Sequence, residues 1–292
     1  MNSTIFNDFF TSARKKHLAA AIDQALAEDG RDLTSQALFE DNDRMQAIIV
    51  AKQEAVVAGL PIAALVCERL APQGGWSVEI HVEEGGQVEP GDTLVSLTGP
   101  AALLLKAERV MLNFITHLSG IATLTAAYTA ELKGTPTKLL DTRKTLPGLR
   151  YPEKYAVLAG GGSNHRMDLE EMLMLKDNHI DRAGSITRAV EQLRAAYSPC
   201  PPIEVECRDL DEVDEAVAAG VERIMLDNMD HEAISQALAR IPPTIESEVS
   251  GGVSLKTIAA IGRLGPDYVS VGRITHSAPI VDFSMRLNLA SP

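Results

Sequence analysis

What most restricts the fold of this chain is an alternation that begins near residue 134 and runs almost to the C-terminus. Short apolar runs read as strands at Lys138–Asp141, Met172–Lys176, Ile203–Cys207, Arg223–Asp227, Ile245–Ser250 and Tyr268–Gly272. Between them, Ser185–Ala196, Leu210–Ala219, Glu232–Ala239 and Leu255–Ile261 have the apolar spacing and length of helices. Repeated βα units imply a parallel sheet, because a strand returns parallel to its neighbour only through a crossover. Their number and interval favour an α/β barrel over an open doubly wound sheet, although periodicity alone leaves closure undecided.

The first 133 residues follow another pattern. Leu18, Ile22, Ala25 and Leu26 have helical spacing, and Glu28-Asp29-Gly30 ends it. Residues 45–57 and 76–82 have strand-length apolar character between turns at Pro72–Gly75 and Glu84–Gly86, which predicts an antiparallel or mixed sheet. Val82–Asp92 resembles the hairpin of lipoyl and biotinyl carrier domains but contains no lysine to carry a group, so it reads as a structural hairpin. Residues 101–132 form a helix by composition, broken or kinked near Gly120. Arg109 falls on the same face as Leu105, Leu112 and Ile115. An arginine against an apolar seam needs an anionic partner in the fold, across a subunit contact or on a ligand, unless it snorkels to solvent.

With 292 residues, 45% of them hydrophobic, the chain can bury a large core and is expected to divide into a large and a smaller domain. A net charge of -13 weighs against nucleic acid or an anionic membrane as the main partner. Cations are instead concentrated locally: Arg143, Lys144, Arg150, Lys154 and Arg166 are opposed only by Glu153, which suggests a small anionic ligand. Cys67, Cys200 and Cys207 are odd in number and lack metal-like spacing, as expected in a reducing compartment. No signal-peptide-like run precedes His17, and apolar runs elsewhere fall short of the ~18 residues of a spanning helix, so the expected location is cytoplasmic.

In α/β barrels the C-terminal ends of the strands surround one mouth. Here those ends carry Asp141 with Thr142, Arg143 and Lys144; Lys176 with Asp177; Glu206; Asp227 with Asn228; Ser250-Gly251-Gly252; and Gly272. Pro147 and Gly148 hold the segment after Lys144 as a loop. Arg143 offers a planar fork and Lys144 a point charge, a pairing suited to a ligand with both carboxylate and phosphate; a solvated basic loop is the other reading. Ser250–Gly252 ahead of a helix is a candidate phosphate cradle, and Val271-Gly272-Arg273 can supply a second edge. Glu206 and Asp227 are of the type that accepts from ribose hydroxyls or holds Mg²⁺. Gly160-Gly161-Gly162 forms a loop that delivers the donors of His165 and Arg166. His165 and His179 lack the spacing of zinc motifs.

Together these segments resemble the quinolinate phosphoribosyltransferase family, also called nicotinate-nucleotide pyrophosphorylase (carboxylating). The resemblance rests on Glu108-Arg109, Leu112-Asn113-Phe114, Leu118–Thr123, Asp141–Arg150, Lys154–Val157 leading to Asn164-His165-Arg166, Lys176–His179, Leu226-Asp227-Asn228 and Ser270-Val271-Gly272. It implies an α/β fold with an N-terminal open-faced α/β sandwich (1–117, joined by 277–292) and an incomplete α/β barrel (118–276) of the type II phosphoribosyltransferase kind. The implied reaction joins quinolinate to 5-phosphoribosyl 1-pyrophosphate with Mg²⁺ and releases pyrophosphate and CO₂ to leave nicotinate mononucleotide.

By the same resemblance Arg109 enters the site of a partner subunit, in a homodimer or higher oligomer. Arg143, His165, Arg166 and Lys176 hold the quinolinate carboxylates, and Thr142, Lys144 and Lys176 lie near the pyrophosphate. Glu206 and Asp227 contact the ribose hydroxyls and Mg²⁺, while Ser250, Gly251, Gly252, Val271, Gly272 and Arg273 hold the 5-phosphate. Lys144, Lys176, Glu206 and Asp227 form the implied catalytic set. Two departures stand out: Asp168 occupies a position that is usually glycine in the family, and the Glu28–Thr34 segment is shorter. Related phosphoribosyltransferases acting on nicotinate, the molybdenum-transport-associated paralogue and a non-catalytic phosphate-ligand sensor are the competing readings.

Overall fold

The structure is a computed structural model that describes residues 4–40 and 42–289; residues 1–3, 41 and 290–292 of the domain ranges given above lie outside it. In chain order the N-terminal part contains α1 (Thr4–Phe9), α2 (Ser12–Glu28), α3 (Leu33–Leu38), β1 (Arg44–Ala51), β2 (Ala55–Val56), α4 (Ile62–Leu70), β3 (Ser77–Ile80), β4 (Gln87–Val88), β5 (Thr93–Pro100) and α5 (Ala101–Glu131). There follow β6 (Lys138–Leu140), α6 (Arg150–Ala159), β7 (Leu173–Leu175), α7 (Asp177–Ala183), α8 (Ile186–Ala196), β8 (Ile203–Cys207) and α9 (Leu210–Ala219). The chain ends in β9 (Arg223–Asp227), α10 (His231–Arg240), β10 (Glu246–Ser250), α11 (Ile258–Leu264), β11 (Tyr268–Ser270), α12 (Arg273–His276) and β12 (Phe283–Leu289). Two compact units result: Met1–Ala126 with Thr145–Gly161 and Ile274–Pro292, and Ala127–Lys144 with Gly162–Arg273.

The first unit is built on an antiparallel sheet in the order β12-β1-β5-β3. Period-two alternation on β1 buries Met45, Ala47 and Ile49 and exposes Arg44 and Gln46. On α2 the i, i+4 pair Leu18 and Ile22 is fully buried. The Val82–Asp92 hairpin is structural: Val88 pairs with Ala55, and Glu84 accepts from the N–H groups of Gly59 at 2.6 Å and Leu60 at 2.8 Å.

α5 differs from expectation in three ways. It is continuous through Gly120, because that glycine answers to packing: a Cβ there would collide with the Pro279 carbonyl oxygen. By length and a mean hydropathy of 1.4 the helix could cross a membrane, yet 67% of that window is buried within the protein, which makes it a core helix. Arg109 is exposed, whereas Leu112 and Ile115 are buried, so the arginine sits at the margin of the apolar stripe and not against it.

The second unit carries a six-stranded sheet in the order β6-β11-β10-β9-β8-β7 with every pairing parallel. Among the described residues the end strands β6 and β7 share no ladder, so the sheet is an incomplete barrel. Ile203, Val205, Cys207, Ile224, Leu226, Val249 and Val269 are all buried at alternate positions, forming the apolar layer to which the amphipathic helices of the unit answer. The intervening positions on these strands are polar apart from Met225: Glu204 and Glu206 on β8, Arg223 and Asp227 on β9, and Glu246, Glu248 and Ser250 on β10. Register places Glu204 beside Arg223 and Ser250 beside Asp227, so these groups share one face.

Candidate active site

At the C-terminal end of that polar face a pocket of roughly 490 Å³ is lined by Thr142, Arg143, Lys144, His165, Arg166, Lys176, Glu206, Asp227 and Ser250, all singled out from the sequence. Met174, Met225, Asn228, Glu248 and Ser270 complete it. A neighbouring pocket of roughly 790 Å³ shares Arg143, Arg166, Met174 and Lys176 and continues over Leu169, Leu173 and Arg182. Gly251 and Gly252 line a different hollow, of roughly 530 Å³, next to residues 229–232. Val271, Gly272 and Arg273, like Arg109, do not line these pockets.

Each side chain is held by local chemistry. Asp141 follows β6, is fully buried, and accepts from Asn164 Nδ2 at 2.6 Å and from the His165 N–H at 2.9 Å, so the Asn164–Arg166 loop is tied to the strand end. Thr142 Oγ1 accepts the Lys144 N–H at 3.0 Å. Arg166 spends Nη1 on the Met172 carbonyl at 2.7 Å. Burial, then the neighbouring Arg143, lowers its pKa from the usual value, which places two guanidiniums close together. Arg143 Nε is buried without a hydrogen-bond partner. Such a pair calls for an anion.

Opposite these cations stand the carboxylates. Lys176, just before the N-terminus of α7, pairs with Glu206. Asn228 has a left-handed φ of 54°, donates its N–H to the Ser250 carbonyl at 2.9 Å and its Nδ2 to Asp227 Oδ2 at 2.7 Å. Only glycine fits beside it: at Gly251, φ 94°, a Cβ would collide with Asn228 Oδ1 and lie 2.8 Å from its backbone nitrogen. β9 and β10 therefore present Asp227 and Ser250 as one braced edge.

Several expectations need correction. Gly160 does not open a ligand loop: it caps α6 and is buried, where a Cβ would lie 2.7 Å from Thr125 Cβ. Lys154 is fully buried in α6 of the other unit, and Arg150 begins that helix. The five-cation run is thus divided, with Arg143, Lys144 and Arg166 reaching the pocket. Asp168 does not take a positive φ; its carboxylate accepts the N–H groups of Glu170 at 2.9 Å and Glu171 at 3.1 Å, so the departure from glycine closes a turn.

Sequence reasoning missed Glu204 and Glu248, both fully buried. His165 Nε2 lies 3.1 Å from Glu204 Oε2 and 3.4 Å from Glu248 Oε2, and Arg223 Nη1 lies 3.4 Å from the same Glu248 oxygen. Burial opposes an imidazolium at His165, but hydrogen bonding and attraction from the two carboxylates outweigh it and push the pKa up to about 9. A second ring proton would sit on Nδ1, where the Arg166 N–H already points from 2.7 Å. The pKa of Glu204 is itself raised, by burial first and then by Glu248. We therefore place the extra proton of the trio on the carboxyl pair and read the ring as the Nε2–H tautomer. The available signal was spacing, since Glu204 and Glu248 precede Glu206 and Ser250 by two residues and share their face one layer deeper.

Two family models match the chain: the quinolinate phosphoribosyl transferase N-terminal domain over residues 32–119 and the C-terminal domain over residues 121–286. The nicotinate-nucleotide pyrophosphorylase [carboxylating] of Mycobacterium leprae is 40% identical over 272 residues, covering 91% of this chain and 95% of its own. The Synechocystis protein described as a probable nicotinate-nucleotide pyrophosphorylase [carboxylating] is 44% identical, with 91% of each chain covered. The crystal structure of NadC from Streptococcus pyogenes superposes with a TM-score of 0.89 at 39% identity, over 94% of this chain and 99% of that one. With the two domain models matching residues 32–119 and 121–286 and a relative 40% identical over 91% of the chain, this chain belongs to the quinolinate phosphoribosyl transferase family.

Proposed function

We infer that the chain transfers the phosphoribosyl group of 5-phosphoribosyl 1-pyrophosphate to the ring nitrogen of quinolinate with decarboxylation, yielding nicotinate mononucleotide, pyrophosphate and CO₂. The observation that carries this reading is one pocket in which Arg143, Arg166, Lys144 and Lys176 face Glu206 and Asp227. A dicarboxylate and a pyrophosphate need cations; a sugar developing oxocarbenium character needs carboxylates.

Arg143, Arg166 and Lys176 hold the quinolinate carboxylates, with His165 placed behind Arg166. Lys144 and Lys176 neutralise the pyrophosphate as it departs, and Thr142 orients that group. Glu206 and Asp227 accept from the ribose hydroxyls, and Ser250 with the Gly251, Gly252 and Val271–Arg273 edges receives the 5-phosphate. No side chain is needed as a covalent nucleophile: the pyridine nitrogen attacks once aligned, and alignment alone is worth ~7–11 kcal/mol. Quaternising that nitrogen stabilises the carbanion left when the adjacent carboxylate departs.

Mg²⁺ fits the same pocket, since Glu206 and Asp227 are hard oxygen donors on the same face of adjacent strands. When bound it supplies charge neutralisation of the leaving group. The exposed Arg109 supports a homodimer in which this arginine completes the quinolinate site of the partner subunit. A cytoplasmic enzyme consuming free metabolites agrees with the acidic composition.

The test is an assay of purified chain with 5-phosphoribosyl 1-pyrophosphate and Mg²⁺, with quinolinate and nicotinate as parallel acceptors. Nicotinate mononucleotide from quinolinate, with nicotinate inert, is the expected result. A folded chain that uses nicotinate in preference would overturn the dicarboxylate reading.

A further inference from the structure

The buried trio at the floor of the pocket does something the reaction scheme leaves unassigned. His165, Glu204 and Glu248 bring three candidate ligand atoms within 4.8 Å of one another, so a metal ion is the first reading to weigh. A metal bound at Nε2 takes that atom's lone pair and leaves the ring proton on Nδ1, to be donated to an acceptor. Here Nδ1 is the acceptor, receiving the Arg166 N–H at 2.7 Å. The proton is therefore on Nε2, which lies 3.1 Å from Glu204 Oε2 and 3.4 Å from Glu248 Oε2, and the ring has no lone pair to give a metal.

We propose that Glu204 and Glu248 are positioning residues for the carboxylate-binding arginine of the substrate site: by holding the Nε2 proton of His165 between them, they lock the ring whose Nδ1 anchors the Arg166 backbone. This rests on the reading of the pocket as the quinolinate site. Asp141 fixes the His165 N–H, the ring fixes the Arg166 N–H, and the Met172 carbonyl fixes Arg166 Nη1. With these anchors set, the rest of the guanidinium is presented beside Arg143 in the pocket wall. His165 thus acts through Arg166, its own nitrogens being turned to protein groups. Two fully buried acids beside one ring are costly to keep, and neither Glu204 oxygen reaches hydrogen-bond geometry, Oε2 lying 3.1 Å from the ring nitrogen. Arg223 offsets part of that cost at Glu248.

The experiment combines a spectroscopic and a kinetic readout on the full-length chain. With ¹⁵N-labelled histidine, the His165 resonances, assigned by their loss in His165→Gln, should show a protonated Nε2 and an unprotonated Nδ1. The double variant Glu204→Leu with Glu248→Leu should lose that single tautomer. Its KM for quinolinate should rise about tenfold, the scale of one lost charge-assisted hydrogen bond, while KM for 5-phosphoribosyl 1-pyrophosphate stays within about twofold. Gln at both positions keeps an acceptor for the Nε2 proton and should hold the quinolinate KM within about threefold of the parent. A parent ring protonated at Nδ1 with Nε2 bare overturns the proposal, and so does a folded Leu variant with parental quinolinate KM. If the parent itself makes no nicotinate mononucleotide, the functional reading fails, and the tautomer measurement still decides the clamp.

Discussion

Replacing Gly251 by alanine isolates the braced edge between β9 and β10. Its φ of 94° places the residue where an L side chain is strained, and the added Cβ collides with Asn228 Oδ1 while lying 2.8 Å from the Asn228 nitrogen. The backbone term costs about 1–2 kcal/mol and the overlap a further 1–3 or so kcal/mol, as for overpacked cores. The sum, roughly 2–5 kcal/mol, is large against a domain stability of about 5–15 kcal/mol. Gly252 is the control, since its φ is 63° but nothing lies within 4 Å of its Cβ. Gly252→Ala should therefore lose only the backbone term, about 1–2 kcal/mol. The steric part has a functional address. Asn228 can yield only by moving its Nδ2 away from Asp227, the carboxylate assigned to the ribose. Urea denaturation should rank parent above Gly252→Ala above Gly251→Ala. KM for 5-phosphoribosyl 1-pyrophosphate should rise at least tenfold for Gly251→Ala, equivalent to about 1.4 kcal/mol. Equal midpoints and equal KM values for the two variants would refute the bracing argument.

Other consequences concern the subunit contact and pH. Arg109→Ala should retain the parental unfolding midpoint because the side chain is exposed, yet lose at least about thirtyfold in kcat/KM, since truncating a desolvated charge contact costs about 2–5 kcal/mol. Mixing it with Lys176→Ala should restore activity through hybrid dimers that hold one intact site; mixtures no more active than their parents would exclude a shared site. The carboxyl pair Glu204 and Glu248, faced by His165 and Arg223, holds a proton that an unfolded carboxyl releases, because burial and then Glu248 raise the Glu204 pKa. The folded state binds more protons there, so the contribution is complete below the unfolded carboxyl range and is lost as pH rises through the raised folded value. A chain with Glu204→Leu and Glu248→Leu should show a flatter decline in unfolding free energy with rising pH, and an identical slope would count against this assignment.

How much of this was legible in the sequence depended on whether the signal was local. The parallel strands came through because each is a short apolar run bounded by turn residues, and their charged ends converge by the geometry of the fold itself. Hence Arg143, Lys176, Glu206, Asp227 and Ser250 could be gathered before any coordinates. Proximity along the chain misled where the path leaves the barrel: Arg150 and Lys154 follow Arg143 closely but fold into the other unit. Glycines were ambiguous because space for a ligand and space for a neighbouring backbone look alike in sequence. Gly160 and Gly120 serve close packing, whereas Gly251 serves the site edge. Arg109 lies on an apolar stripe by spacing yet at its exposed margin in space, since helical periodicity defines a face but not its width. The inner carboxylates were hidden because a polar residue within a buried strand resembles a polar residue on an exposed one. Only register shows that Glu248 reaches the pocket floor and that Glu204 stands beside it.

The central claim is that one pocket couples glycosyl transfer to loss of the carboxylate beside the ring nitrogen. It is tested most directly with quinolinate labelled with ¹³C in that carboxylate, incubated with 5-phosphoribosyl 1-pyrophosphate, Mg²⁺ and the purified chain, while labelled CO₂ and pyrophosphate are measured together. The account predicts one labelled CO₂ for each pyrophosphate, with none released when 5-phosphoribosyl 1-pyrophosphate is omitted. Pyrophosphate release with the label retained in the nucleotide, or labelled CO₂ without the phosphoribosyl donor, would contradict it.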